Sequence, residues 1–325
     1  MPTLDGKFSI VMPITKFSYL LTKDDREPTK EHDNFQRFFH VALPCMKSNL
    51  VWNDVADFFV ITPCGEKKEF LELLKMHAAN DIRGVFKVLT EDEVLDKGVS
   101  KACRDNKGDN ARKSRIQMLV KLLIAKKMRT SAYLVLDDDN VLLRRFGNRE
   151  LYADKEQKYL KFTSDQAEHP RWWRGSAGVL GYDEPTTESV WSDLCNLRKK
   201  NWVVNVTPEV LATTHVLTLL KKLEKLHGAK WQKVMFMTEH PWTEYTIYWL
   251  HLMAEGVLKD TYRGSKVRLS DGGTSIWFAV DDLPGKIRVM MDNKRQYFGV
   301  IQSNVPEHTV SFVSAAFAEA AAKRQ

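Results

Sequence analysis

The run Tyr133-Leu134-Val135-Leu136-Asp137-Asp138-Asp139-Asn140 constrains this chain more than any other segment: four apolar, strand-forming residues end abruptly in three consecutive carboxylates. In an open α/β sheet, ligands bind in the crevice outside the carboxyl ends of the strands. A buried strand that delivers Asp137 and Asp139 to that edge places two hard oxygen donors together. Such a pair suits Mn²⁺ or Mg²⁺ holding a diphosphate, because these cations take a few carboxylates plus phosphate oxygens. The competing reading is a polar turn whose aspartates cap a following helix. Against it, three like charges in a row repel unless a cation offsets them.

The segments before this run predict the sheet that would carry it. Phe8 to Ile14, Asp57 to Thr62 and about Gly84 to Leu89 read as strands, followed by the strand Tyr133 to Leu136. Helical patterns fill the gaps at about 32–49, 66–78 and 110–127. Strands separated by helix-length intervals imply right-handed crossovers and a largely parallel sheet. The expected fold class is therefore α/β, with a Rossmann-type, mostly parallel central sheet flanked by helices. Pro13 and Pro63 stand where the first two strands end, as expected where a chain leaves a sheet. The second half is more irregular, with helices expected near 186–199, 207–226 and 241–255 and an Ala-rich helix from about Ser314. No internal repeat, low-complexity linker or domain boundary is visible. The expectation is a single catalytic domain over 1–325, with a nucleotide-binding half at about 1–140, a second half at about 141–310, and a C-terminal helix at 311–325.

Charge and cysteine usage narrow the function classes. Lysine and arginine outnumber acids by 49 to 42, giving a net +7 spread along the chain rather than gathered in a tail. That argues for an anionic ligand, and the lack of an arginine-rich arm, finger motif or aromatic RNA-binding signature argues against nucleic acid. Cys45, Cys64, Cys103 and Cys195 are widely spaced, which fits unpaired thiols in a reducing compartment. No segment has the length of a membrane span, and the Phe8–Ile14 run is short for a signal-peptide core. The expectation is a soluble, cytoplasmic protein, or a lumenal one trimmed of an anchor.

The helix before the acidic strand carries its own signal. Asn110 can cap it, and Ile116, Leu119, Val120 and Leu123 form the buried stripe. Gln117 and Lys121 fall four apart on another face, and Lys121 is placed to meet a phosphate or Asp138. The bland alternative for Lys121 is a solvated helix lysine.

A strand ending in Asp-x-Asp after three strand–helix units resembles the GT-A glycosyltransferases. Two further segments, Thr207-Pro-Glu-Val-Leu211 and Trp242-Thr-Glu-Tyr-Thr-Ile-Tyr248, are similar to those of a poorly characterised subset of these enzymes, and the resemblance spans about residues 8 to 302. It implies a nucleotide-sugar donor such as a UDP- or GDP-sugar and a glycan or glycoconjugate acceptor. It also implies a metal flanked by Asp137 and Asp139, Asp138 reaching the ribose, and Thr15 near the base.

The Trp242 segment also reads as a helix without any family. Pro241 is a good first residue and Gly256 a good stop. Trp242, Tyr245, Trp249, Leu252 and Met253 share one apolar face, with Glu244, Tyr248, His251 and Glu255 opposite. Glu244 could be the general base that takes the proton of an attacking sugar hydroxyl; its alternative role is stabilising the helix dipole by about 0.3–1 kcal/mol. For His251 the expectation is a hydrogen-bonded structural histidine. Trp172 and Trp173, in Trp172-Trp-Arg-Gly-Ser-Ala-Gly-Val-Leu-Gly181, could cover the apolar faces of donor or acceptor sugar rings. Equally, they could belong to an aromatic core beside a glycine turn.

Two other functions fit part of the pattern. Leu136-Asp-Asp-Asp-Asn-Val-Leu142 satisfies the loose motif of a haloacid-dehalogenase-type phosphatase, with Asp137 as nucleophile, Asp139 as acid/base and Val280-Asp281-Asp282 imitating its second metal-binding pair. That motif normally ends the first strand of its domain, whereas here three strand–helix units precede it. A non-catalytic nucleotide- or sugar-binding module is the other alternative.

Overall fold

The structure is a computed structural model that describes residues 6–17, 32–99, 110–162, 170–183, 189, 207–265, 267–303, 305 and 307–322, without the side chains at 110–113, 162 and 170. The chain forms a mixed α/β fold with a mostly parallel central sheet flanked by helices. In chain order, β1 (Phe8–Pro13) leads to α1 (Asn34–Arg37), which continues through a π-helical turn at Phe38–Ala42 into α2 (Leu43–Asn49). Then come β2 (Val55–Thr62), α3 (Lys67–His77), β3 (Phe86–Thr90), α4 (Asn110–Leu123), β4 (Ala132–Val135) and β5 (Asn140–Leu142). The second half holds β6 (Leu160–Phe162), α5 (Pro170–Val179), β7 (Glu209–Ala212), α6 (Thr213–His227), α7 (Trp231–Met237) and α8 (Glu244–Ala254). It closes with β8 (Tyr262–Gly264), β9 (Arg268–Ser270), α9 (Leu283–Asp292), β10 (Gln296–Val300) and α10 (Val310–Ala322).

The central sheet has the order β3-β2-β1-β4-β7. β1 is buried at all of its positions, as a parallel strand covered on both faces must be. Its register puts Ser9, Ile10 and Val11 beside Tyr133, Leu134 and Val135 of β4. The strand order reverses between β1 and β4, so the chain leaves the sheet to opposite sides at their carboxyl ends. That is the switch point where open α/β sheets form a ligand crevice. Asp137 and Thr15 follow directly from the two strands that flank it.

A second, three-stranded sheet of order β5-β10-β9 abuts the first. Its own core joins Val141, Ile276 and Ile301 to Leu283, Ile287 and Met290 of α9 and to Val313, Ala316 and Ala320 of α10. β10 approaches α9 so closely at Gly299 that a Cβ there would strike the Met290 side chain. β6 and β8 form a separate two-stranded ladder.

Several expectations change at this level. The segment expected as a helix over 207–226 begins as a strand: Glu209–Ala212 pairs antiparallel with β4, Val135 opposite Glu209 and Ala132 opposite Ala212, and the helix starts only at Thr213. The backbone hydrogen bonds offered by the free edge of β4 win over the local helical pattern. The stretch around Trp172 is a helix, and its Gly175 lets α5 lie against the Pro241 carbonyl rather than against a ligand. Helix α8 starts at Glu244 behind a Thr243 cap, not at Pro241, and is buried all round rather than two-faced, because α4, α5 and α6 all pack on it. The C-terminal helix starts at Val310, four residues before Ser314. Cys45 and Cys64 are free thiols. Asn110's side chain, Cys103, Cys195 and, apart from residue 189, the helix expected at 186–199 lie outside the described residues. No helix among the described residues is long and apolar enough to cross a membrane.

His251, on α8, is buried and hydrogen-bonds Thr218 Oγ1 through Nε2 at 3.0 Å, the structural role expected of it. Burial depresses its pKa to about 4, against the opposing pull of Glu255. The unfolded chain, with an ordinary value near 6.5, therefore takes this proton first as pH falls. The stability held by the neutral ring is complete above pH 6.5 and is lost as pH falls toward 4. His251→Gln should show a smaller drop in Tm between pH 7.5 and 4.5 than the parent chain; equal drops would show that another group carries the dependence.

Candidate functional site

The acidic run makes a closed turn. The Asp137 carbonyl accepts from Asn140 N at 3.2 Å, and the Asp137 N–H donates to Asn140 Oδ1 at 2.8 Å. Asn140 is thus the residue that reverses the chain from β4 of one sheet into β5 of the other. Asp137 and Asp138 stand at the surface of this turn, half-buried, and Asp139 is buried. No helix follows, so the aspartates are not a cap. The Asp139 carbonyl accepts from Ile301 N at 3.1 Å, which extends the second sheet up to the acidic turn.

Beneath Asp137 lies a buried lysine. Lys121 Nζ is 2.8 Å from Asp137 Oδ1, 2.8 Å from Glu244 Oε1 and 3.3 Å from Thr207 Oγ1. An ammonium has three protons, and these three acceptors take them all. Thr207 Oγ1 in turn meets Tyr245 OH at 2.7 Å, and the Tyr245 ring lies 5.4 Å from Nζ. Burial alone would lower the Lys121 pKa, but Asp137 and Glu244 outweigh it and hold the value well above the ordinary one. Lys121 is therefore neither a solvated lysine nor an ammonium with a proton to spare for phosphate. It ties the end of β4 to the start of α8.

Behind Asp138 and Asp139 sits Arg37, which is 4% exposed. Its guanidinium donates to the Ile301 carbonyl at 2.8 Å and to the His308 carbonyl. Burial lowers its pKa, and the charges of Asp138 and Asp139 oppose that fall. Burial, then Asp137, pushes the Asp138 carboxyl up to about 7, with Arg37 pulling the other way. Asp139 is held well above the usual carboxylate range by burial and by Asp138 and Asp137. His308 is buried with Nδ1 3.0 Å from the Gln302 carbonyl, which assigns the ring proton to Nδ1 and leaves Nε2 a lone pair with no partner among the described residues. A cavity beside this cluster is lined by Arg37, Asp138, Asp139 and Ile301 together with Val41 and Val313.

The structure thus brings Asp137, Lys121 and Glu244 into direct contact and sets Asp138 and Asp139 beside them. Thr15 follows β1, half-buried, with its hydroxyl donating to Phe17 O at 3.1 Å. Gln117 is half-buried on α4 one turn before Lys121. Trp172 is half-buried on α5, and Trp173 is 2% exposed within the main core, which removes its ring from any sugar and corrects that expectation. Asp282 spends a carboxylate oxygen on the Gly285 N–H at the start of α9. Two residues of the site escape a reading of the sequence, Arg37 and His308.

Asp137 and Asp139, two residues apart on the acidic turn, are the carboxylates that could hold a divalent cation. Among the described residues, no three His, Cys, Asp or Glu side chains are grouped as a metal-ligand set. Two carboxylates, with phosphate oxygens supplied by a substrate, fit the usual habit of Mg²⁺ or Mn²⁺. Burial first, and then the neighbouring carboxylates, raise the proton affinity of Asp138 and Asp139.

Residues 5–315 match the model of a family described as a family of unknown function (DUF6492), and the chain belongs to that family. No curated protein matches it. Among solved structures it is similar to mouse xyloside xylosyltransferase 1 in its apo form, at 12% identity over 92% of this chain and 99% of that one, with a TM-score of 0.42. It is similar to the mannosyltransferase Ktr4p from S. cerevisiae, at 10% identity over 76% of this chain and 66% of that one, TM-score 0.43. The apo bifunctional glycosyltransferase WbbM is similar at 9% identity, over 99% of this chain and half (50%) of that one, TM-score 0.42. All three of these neighbours carry glycosyltransferase names.

Replacing one member of the buried Lys121 bridge should cost more than replacing two. Lys121→Met leaves Glu244 buried opposite nothing, and breaking such a pair from one side typically costs about 3–5 kcal/mol. The double variant Lys121→Met/Glu244→Met removes both charges and should regain at least half of that loss in urea unfolding. A double variant no more stable than Lys121→Met alone would show that the bridge does not hold this part of the fold together.

Proposed function

We propose that this protein is a GT-A-type glycosyltransferase that moves a sugar from a nucleoside-diphosphate sugar to a hydroxyl of a glycan or glycoconjugate. The observation that carries the reading is the acidic turn at the carboxyl end of β4, beside the β1/β4 switch point and braced by Lys121 and Glu244. In this reading residues up to about 140 bind the nucleotide and residues of about 141–310 shape the sugar and acceptor side.

Asp137 and Asp139 would hold Mn²⁺ or Mg²⁺, which supplies charge neutralisation to the departing diphosphate. In this reading Asp138, at the corner of the turn, would reach the ribose, and Thr15, just past β1, would lie near the base. Gln117, one turn before Lys121, is proposed for the nucleotide-sugar, and half-buried Trp172 for the donor or acceptor sugar. Lys121 acts indirectly: with its protons shared among Asp137, Glu244 and Thr207, it fixes the direction of the Asp137 carboxylate rather than binding phosphate. The acceptor oxygen attacks the anomeric carbon, the bond from that carbon to the diphosphate breaks, and the hydroxyl proton passes to a base. Glu244 is the base proposed; Lys121 occupies Oε1, so the other carboxylate oxygen would take the proton. The haloacid-dehalogenase alternative is less well supported, because Asp137, its nucleophile, is bound to a buried ammonium and its strand is the fourth in the chain, not the first.

The test is binding of UDP and GDP by calorimetry, with and without Mn²⁺, followed by hydrolysis of their sugar conjugates. Mn²⁺ should tighten binding, Asp137→Ala and Asp139→Ala should erase that gain without unfolding the protein, and excess EDTA should stop turnover. Equal binding with and without metal, or phosphate release from aryl phosphates through a phosphoryl-Asp137, would overturn the assignment.

Glu244→Gln separates base from brace. A general base typically contributes about 10²–10⁴-fold, so turnover should fall by that factor with donor affinity nearly unchanged. A purely bracing Glu244 would give turnover within a few-fold and a lowered Tm.

A further inference from the structure

The most exposed large apolar side chain among the described residues is Phe278, at 79%. It follows Ile276, which is buried and joined to β10 by two backbone bonds: Ile276 N donates to Val300 O at 2.8 Å, and Gln302 N donates to Ile276 O at 2.9 Å. Ile301, between those two, donates its own N–H to the Asp139 carbonyl on its other side. Asp139, Ile301 and Ile276 are therefore three neighbours across one ladder, and at about 4.8 Å per step the Ile276 backbone lies roughly 10 Å from that of Asp139. Direction matters as much as distance. The chain at Ile276 runs parallel to β10, whereas the acidic turn enters β5 antiparallel to it. The chain leaving Ile276 toward Trp277 thus sets out toward the same end of the sheet as Asp138 and Asp137.

This segment is held at both ends. Upstream, Ser275 N bonds Asp271 O at 2.9 Å and Trp277 Nε1 donates to Gly272 O at 3.1 Å. Downstream, Val280 packs on the second core, Leu283 is fully buried, and Asp282 caps α9. Phe278 is therefore an aromatic ring presented to solvent on a fixed support, with half-buried Trp277 before it and exposed Asp281 three residues on. A ring this isolated is too small for a protein interface, which needs about 800 Å² from each partner. It matches the apolar face of one sugar ring, whose hydroxyls a nearby carboxylate can accept.

We infer that Trp277 and Phe278, with Asp281, form a carbohydrate-binding platform beside the acidic turn, on which a pyranose ring of the acceptor stacks. The inference builds on the glycosyltransferase reading for its word acceptor; the sugar-binding surface itself stands on the geometry of residues 276–282. It moves the aromatic platform from Trp173, a core residue, to a loop carried by the second sheet.

The experiment is saturation-transfer NMR on the full chain with a panel of methyl α- and β-glycosides of glucose, galactose, mannose and xylose, alongside Phe278→Ala and Phe278→Tyr. At least one glycoside should receive saturation from the parent protein. Phe278→Ala should weaken that binding by about tenfold, as expected for a lost aromatic stacking contact, and Phe278→Tyr should retain it. Because the side chain is exposed, both variants should keep the parent's Tm. Saturation transfer to none of the panel, or binding by Phe278→Ala within twofold of the parent, would overturn the platform. Nucleotide binding is read separately on the parent chain with UDP, GDP and Mn²⁺. Glycoside binding that depends on Phe278 without any nucleotide binding would sink the transferase reading and leave the platform standing, and metal-dependent nucleotide binding with a silent panel would do the reverse.

Discussion

A single buried ammonium holds the two halves of the site in register. Lys121 comes from the helix that precedes β4, Asp137 from the strand's end and Glu244 from the first turn of α8, and all three meet within 2.8 Å contacts. Desolvating a charge costs several kcal/mol, and a buried pair recovers that only when every proton and lone pair has a partner. Here Thr207 supplies the third acceptor, and Tyr245 both bonds Thr207 and offers its ring face. A bridge of this kind is weak evidence for stability, since well-packed apolar groups would do as well. What it provides is direction: the Asp137 carboxylate cannot rotate without breaking a bond to a buried charge.

The Asp137–Asn140 turn makes the same region a joint between two sheets. β4 belongs to the central sheet and β5, two residues past Asp138, to the second one, so the acidic corner lies where their ladders meet. Arg37 secures the far side. By bonding the carbonyls of Ile301 and His308 while facing Asp138 and Asp139, it ties the helix after β1, the tail of β10 and the acidic turn into one cluster. Residues separated by more than 260 positions thus converge on three adjacent aspartates.

How much of this was legible beforehand follows from which forces decide each part. β1, β2 and β4 are readable because strands buried on both faces are near-continuous apolar runs, and the acidic end of β4 is readable because nothing else in the chain resembles it. β7 was not, because Pro-Glu-Val-Leu-Ala-Thr-Thr satisfies a helical pattern locally and only the open edge of β4 makes it a strand. Glu244 and Lys121 were picked out singly, yet their contact spans 123 residues and leaves no local mark. Trp172 and Trp173 look alike in sequence, and only the packing of α5 on α8 sends one ring into the core. Arg37 and His308 carry no motif, since the role of Arg37 rests on main-chain carbonyls more than 260 positions away, that of His308 among them.

The electrostatic balance of the cluster sets what can enter it. Asp137, Asp138, Asp139 and Glu244 carry four potential negative charges against the two positive ones of Lys121 and Arg37. The deficit appears in Asp138 and Asp139, whose proton affinities are raised by burial first and then by the neighbouring carboxylates, to about 7 for Asp138. A diphosphate brought to this turn alone would meet the same repulsion, and neither internal cation can turn to meet it: the protons of Lys121 are shared among three acceptors, and Arg37 is committed to two carbonyls. If the proposed nucleoside diphosphate binds at this turn, it has to bring a positive charge of its own, because both internal cations are already spent inside the fold; that is the physical argument for the proposed divalent ion.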